Sequence, residues 1–188
     1  MNYLTLNKKS SRRRETIAAR TRRLRPAVMA LEGRTLLSTI IVNSLKDDDS
    51  AGTLRSAIGQ ADASNQADTI VFSGLFDSPQ TITLTGGALA LTGTETTTIT
   101  GPGANFLTVS GGGTSGVFVI DGASAAISGL TVSDGSAAVG GGVRNDGGTL
   151  TLSDVTVRGN TATDRGGGIA TRFSTWCRVN HSSVWRRV

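Results

Sequence analysis

Cysteine, histidine, aromatic side chains and long apolar runs are all scarce in this chain. A single Cys among 188 residues excludes an internal disulfide framework and the multi-Cys zinc patterns. Cys177 and the one His, His181, form neither a metal-ligand set nor a nucleophile–base pair. Aromatic residues amount to 4%, too few for a large conventional core. No run approaches the roughly 18 apolar residues that a membrane-spanning helix needs. Acids are missing from residues 172–188, which hold four Arg.

Charge divides the chain into zones. Residues 1–34 carry ten Lys/Arg and two Glu, a net +8. Residues 35–171 carry five Lys/Arg against twelve Asp/Glu, a net −7. The overall +5 therefore belongs to the two ends of an acidic middle. Nucleic-acid binding, which a basic total ordinarily suggests, has only the arms to act through, so nucleic acid is not the expected partner. Apolar residues are too few among Lys8–Arg25 for a core helix, and residues 1–38 read as a disordered basic arm.

Glycine and threonine are abundant and concentrated: 22 of the 25 Gly and 19 Thr lie between Thr69 and Thr171. Short segments that mostly alternate apolar residues with Thr or Ser succeed one another there. They are Thr81–Thr85, Leu89–Thr92, Thr97–Thr100, Phe106–Val109, Val117–Ile120, Ile127–Val132, Thr149–Leu152 and Val155–Val157. A period of two turns one face of each strand inward, and the Gly-Gly, Asp-Gly, Gly-Asn and Gly-Pro pairs between them supply turns with positive φ. The stretch also repeats. Leu130-Thr131-Val132 returns 25 residues later as Val155-Thr156-Val157, and Gly140-Gly141-Gly142-Val143 returns 26 residues later as Gly166-Gly167-Gly168-Ile169. Repetition at such a period marks stacked units that bury their apolar faces only against their neighbours. Nothing helical in period intervenes, which excludes βαβ folds, and an immunoglobulin-like sandwich would not repeat internally. The expected fold class is all-β, a parallel β-helix with about four coils in the 103 residues 69–171. The glycine triplets then read as turns between stacked strands rather than a phosphate cradle. Asn145 and Asn160 read as turn residues whose amides stack in ladders.

Ahead of this body, Ile41–Ser44 reads as a short strand. Leu54, Ala57, Ile58 and Ala61 form one apolar stripe of a short helix, with Ser50 or Thr53 as its cap. Asp47-Asp48-Asp49 reads as a solvated turn supporting that helix. Three consecutive carboxylates cannot all point inward, and the spacing of an EF-hand loop is absent. Asn65–Asp68 turns the chain, and Thr69–Phe72 is a buried strand. Gly52-Thr53-Leu54-Arg55-Ser56-Ala57-Ile58, followed by Ala67-Asp68-Thr69-Ile70-Val71-Phe72, resembles the opening of bacterial right-handed parallel β-helix proteins, many of them polymorphic outer-membrane or adhesin-like. Ser56 stands where that family usually has Glu. The resemblance implies a right-handed parallel β-helix whose first coil is covered by one short N-terminal capping helix.

A second resemblance lies in the arm. Arg22-Arg23-Leu24-Arg25-Pro26, then Leu31-Glu32-Gly33-Arg34-Thr35-Leu36-Leu37-Ser38, resembles the LEPR-xLL segment that heads many surface or exported proteins of planctomycete bacteria, with Gly33 in place of the usual proline. It implies an export-type motif of Leu31, Glu32, Arg34, Leu36 and Leu37, and a secreted or cell-surface location. Neither a secretory signal peptide nor a twin-arginine signal is present in its usual form.

Residues 172–188 depart from the pattern. They hold both Trp and no Gly, and the expectation is a frameshift or truncation near Thr171. Val179–Val184 keeps a faint echo of Leu152–Val157. No catalytic, cofactor-binding or metal-ligating residue is expected. Asp121, Asp134, Asp146, Asp154 and Asp164 read as turn acids; Asp134 and Asp154 are the pair that neighbouring coils would bring face to face, as glycosidase chemistry needs. The functional expectation is a non-catalytic exported structural or adhesive protein whose partners are extracellular polysaccharide or other cell-surface components. A polysaccharide lyase or glycoside hydrolase of pectin-lyase-like fold, and nucleic-acid binding through the arms, are the alternatives.

Overall fold

A computed structural model of the chain describes residues 38–172 and the backbone of 176–180. The described residues form a parallel β-solenoid of about five turns with a single α-helix. The first strand, β1 (Ser38–Val42), leads through an acidic turn into α1 (Leu54–Ala63), and β2 (Asp68–Phe72) then returns beside β1. From there each turn adds one strand to each of three sheets. The largest holds β1, β2, β5 (Thr96–Thr100), β8 (Ser124–Ser128), β12 (Thr149–Ser153) and β16 (Trp176–Asn180) in that order. The second holds β3 (Gln80–Thr83), β6 (Leu107–Ser110), β9 (Thr131–Ser133) and β13 (Thr156–Arg158). The third holds β4 (Leu89–Leu91), β7 (Phe118–Asp121), β11 (Val143–Asp146) and β15 (Ile169–Arg172). The later turns also pair β10 (Ser136–Val139) with β14 (Thr161–Arg165).

Register explains the apolar pattern. Ile40, Ile70, Ile99, Ile127 and Leu152 stand side by side across the six-stranded sheet. Ile82, Val109, Val132 and Val157 do the same in the second sheet, and Leu89, Phe118, Val143 and Ile169 in the third. Most of these side chains are fully buried in one continuous core. Each buried Leu, Ile, Val or Phe contributes about 1.5–3 kcal/mol, and it does so only when the next turn covers it.

The helix closes the first end. Leu54, Ala57, Ile58 and Ala61, the expected stripe, are its buried residues. Thr53 is the cap: its Oγ1 accepts the Ser56 amide at 3.1 Å.

Several sequence expectations need correction. Ile127–Val132 is not one strand, because Gly129 (φ 64°) turns a corner between β8 and β9. β10, β11, β14 and β15 carry too little apolar alternation to read as strands. Asp68 does not belong to a turn; it opens β2 and is 2% exposed. The turns are also unequal. Register partners Asp68, Thr97, Ala125, Leu150 and Cys177 are 29, 28, 25 and 27 residues apart in sequence. β16 continues the solenoid beside β12, and its pairing of Leu152 with Val179 is the alignment the tail's faint echo gives.

The glycine triplets are corners, as expected. Gly140 and Gly166 both take φ 65°. Behind them the Gly142 amide donates to the Gly167 carbonyl at 3.0 Å, so the two copies are hydrogen-bonded to each other. A Cβ on Gly141 would collide with the Thr161 carbonyl. Close approach of two backbones, not ligand binding, requires glycine here.

Candidate functional site

The acidic turn before the helix is the first place the sequence offers for chemistry, and the structure uses it as a structural tie. The Asp47 side chain is 1% exposed and that of Arg55 20%. Arg55 Nε and Nη2 donate to the two carboxylate oxygens of Asp47 at 2.9 and 3.0 Å. Asp47 Oδ2 also accepts the Thr85 and Gly86 amides, at 2.6 and 2.8 Å, and Arg55 Nη2 donates to the Gly87 carbonyl at 2.6 Å. The turn, the helix and the loop between β3 and β4 are thereby joined. Burial alone would push the Asp47 pKa up; the Arg55 hydrogen bond, the Gly86 and Thr85 amides and the Arg55 charge outweigh it and hold the carboxyl below its ordinary value. The expected solvated turn is therefore wrong for Asp47, because its donors come from a loop almost forty residues away. Asp48 and Asp49 are the exposed members, and Asp48 has partners of its own. Hydrogen bonds from the Ser50 hydroxyl and amide lower the Asp48 pKa. Asp62 makes the matching tie at the other end of the helix, accepting the Thr92 amide and hydroxyl at 2.9 and 2.8 Å and the Gly93 amide at 3.1 Å.

The acids of the body separate into two kinds. Asp134 (φ 52°) and Asp154 (φ 53°) sit at left-handed corners. They do not face one another: Asp134 follows β9 and Asp154 follows β12, strands of different sheets. Asp134 Oδ2 accepts the hydroxyls of Ser133 and Ser110 at 2.6 and 3.2 Å, tying adjacent turns. Asp121 and Asp146 are not in turns; they end β7 and β11 as register partners on neighbouring coils. Asp164 lies within β14. Arg144 Nε stands 2.9 Å from Asp146 Oδ2, in an ionic contact without hydrogen-bond alignment, and Asp146 Oδ1 has no hydrogen-bond partner among the described residues. Arg172 is Asp146's neighbour on the next strand. This rim of the third sheet brings two carboxylate and two guanidinium residues onto neighbouring strands. The 25-residue spacing from Asp121 to Asp146 was the available sequence signal.

Neither asparagine forms an amide ladder. Asn145 is an inward strand residue, 0% exposed, flanked by Ile120 and Thr171 rather than by another amide. It donates to the Gly148 carbonyl and accepts the Gly148 amide, both at 3.0 Å. Asn160 accepts the Gly135 amide at 2.7 Å and donates to the Val132 carbonyl at 3.0 Å, clipping its corner to the turn before. Each amide is spent on backbone.

The outer face of the six-stranded sheet is different in kind. The outward column across β1, β2, β5, β8 and β12 is Thr39, Thr69, Thr98, Ala126 and Thr151. Thr96, Ser124 and Thr149 flank it on one side, and Ile41, Val71, Thr100, Ser128 and Ser153 on the other. None of these side chains is charged, and none is buried; the charge-free run ends at β12, because Arg178 of β16 is the register partner of Thr151. Strands about 4.8 Å apart and alternate residues about 6.6 Å apart make this a regular grid of hydroxyl and methyl groups.

Among the described residues there is no group of three or more His, Cys, Asp or Glu placed to hold a metal ion, and no helix long and apolar enough to cross a membrane. The export-type motif residues Leu31, Glu32, Arg34, Leu36 and Leu37, the basic arm and His181 lie outside the described residues, and of Cys177 only the backbone is described. Comparison of the chain with protein-family models, with curated proteins and with solved structures finds no match.

Proposed function

We propose that this chain is a non-catalytic, exported solenoid that presents the charge-free face formed by β1, β2, β5, β8 and β12 to a neutral extracellular polysaccharide. The uncharged grid of Thr, Ser and Ala on that face carries the reading. A repetitive surface with no formal charge suits a repetitive, uncharged polymer, whose hydroxyls pair with threonine hydroxyls and whose C–H faces lie on threonine methyls. The resemblance of Leu31–Ser38 to a planctomycete export-type segment, and of Gly52–Phe72 to adhesin-like β-helix proteins, supports a place at the cell surface. Co-sedimentation of the full chain with insoluble neutral glucan, against soluble anionic pectate as competitor, tests it. Retention on the glucan that pectate does not compete supports the reading, and absence of retention overturns it.

The Asp121–Asp146 pair with Arg144 favours one second reading, a lyase or hydrolase acting on acidic polysaccharide. Turnover of polygalacturonate, lost in Asp146→Asn, would establish that reading in place of the first.

A further inference from the structure

Where the C-terminal end of α1 meets β1 and β2, an open cavity of about 430 Å³ is lined by Ser38, Ile40, Gln60, Ser64, Asn65 and Gln66, together with Asp68. Asp68 belongs to the inward column Ser38, Asp68, Thr97, Ala125 and Leu150, which runs from polar to apolar along the solenoid. Polarity in that column is thus confined to the turns nearest the helix. The Asp68 residue is 2% exposed, and its Oδ2 is buried with no hydrogen-bond partner among the described residues. A buried carboxylate oxygen left in that state costs several kcal/mol unless something donates to it.

Two further features give the missing donor a charge. The last turn of α1 carries no basic residue, so the partial negative charge of the helix C-terminus is uncompensated within the helix. Among the described residues, no Lys, Arg or His lines the cavity. A carboxylate and a helix C-terminus in a neutral wall together favour a cation. The rest of the lining favours hydroxyls: the Asn65 and Gln66 carboxamides make no side-chain hydrogen bond among the described residues, and carboxamides both donate and accept. The volume lies at the small-molecule end of ligand sites.

We infer that this cavity binds a small polyhydroxylated primary amine, an amino sugar with a free ammonium group, through Asp68. The site stands on its own residues and does not depend on the outer face of the six-stranded sheet. Calorimetric titration of the full chain with glucosamine, glucose and N-acetylglucosamine tests it. Glucosamine is expected to bind at least tenfold more tightly than either neutral sugar, because only it brings a charge to Asp68. Asp68→Asn, which keeps the shape and removes the charge, is expected to abolish that preference. Should Asp68→Asn fail to give the wild-type circular-dichroism spectrum, the rim pair Asn65→Ala and Gln66→Ala serves instead, with an expected loss of at least threefold. Equal affinity for glucosamine and glucose, unchanged binding in the variants, or displacement of glucosamine by millimolar calcium overturns the inference.

Discussion

The two parts of this solenoid are held together by different forces. At the helical end, side-chain charges join segments that are distant in sequence: Asp47 to Arg55 and the Thr85 and Gly86 amides, Asp62 to Thr92 and Gly93. In the body, stacked apolar columns and parallel backbone ladders carry the fold, and charge enters mainly at corners and along the outer edge of the third sheet. The body is self-similar, so each turn satisfies the next. Among the described residues no turn precedes the first, and a helix anchored by carboxylates packs on it. Charges are therefore needed at the end and dispensable across β1, β2, β5, β8 and β12, whose outer face is left neutral.

The sharpest way to break the comparison is to remove packing from the body. Phe118 is fully buried between register partners Leu89 and Val143, and Phe118→Ala should cost about 3–5 kcal/mol in denaturant unfolding. Asp47→Ala should cost less, about 2–3 kcal/mol. Breaking a fully buried pair costs more, but Arg55 retains 20% exposure and solvent screens part of its charge. Hydrogen exchange should place that loss in α1 and in residues 85–88, with little change in β7 and β11. A uniform loss of protection would contradict the division. Acid should reach the helical end through the same carboxylate. The folded pKa of Asp47 lies below its ordinary value of 3.8, so its stabilisation is complete above that value and is lost as pH falls toward the folded pKa. Melts between pH 5 and pH 2, on the order of the carboxylate range, should fall less steeply in Asp47→Asn than in the wild type. Smallest of all should be the effect on stability of Thr98→Lys, about 0.5 kcal/mol or less, since the side chain already faces solvent.

The sequence made the same division only partly legible. The repeat is visible where consecutive turns are 25–26 residues long, around the two glycine triplets. It is invisible where they are 28 and 29, because corners of different length shift the motif without shifting the stack. The apolar stripe of α1 was legible because a helix is a local object. The partners of Asp47 were not, since the amides that cover it belong to the next loop. β11 was hidden by Asn145, an inward polar residue made tolerable by Gly148, three residues on. The outer face was visible as Thr-x-Thr alternation, but its continuity from β1 to β12 depends on register, which unequal turns conceal.

The central claim is that the neutral grid, and not the charged edge of the third sheet, engages the partner. Co-sedimentation of the full chain with insoluble neutral glucan measures this directly in the double variant Thr39→Lys and Thr98→Lys, beside Asp146→Asn. The account predicts at least tenfold weaker retention of the lysine variant at unchanged melting temperature, with Asp146→Asn retained like the wild type. Equal retention of the lysine variant, or loss of retention in Asp146→Asn alone, would contradict it.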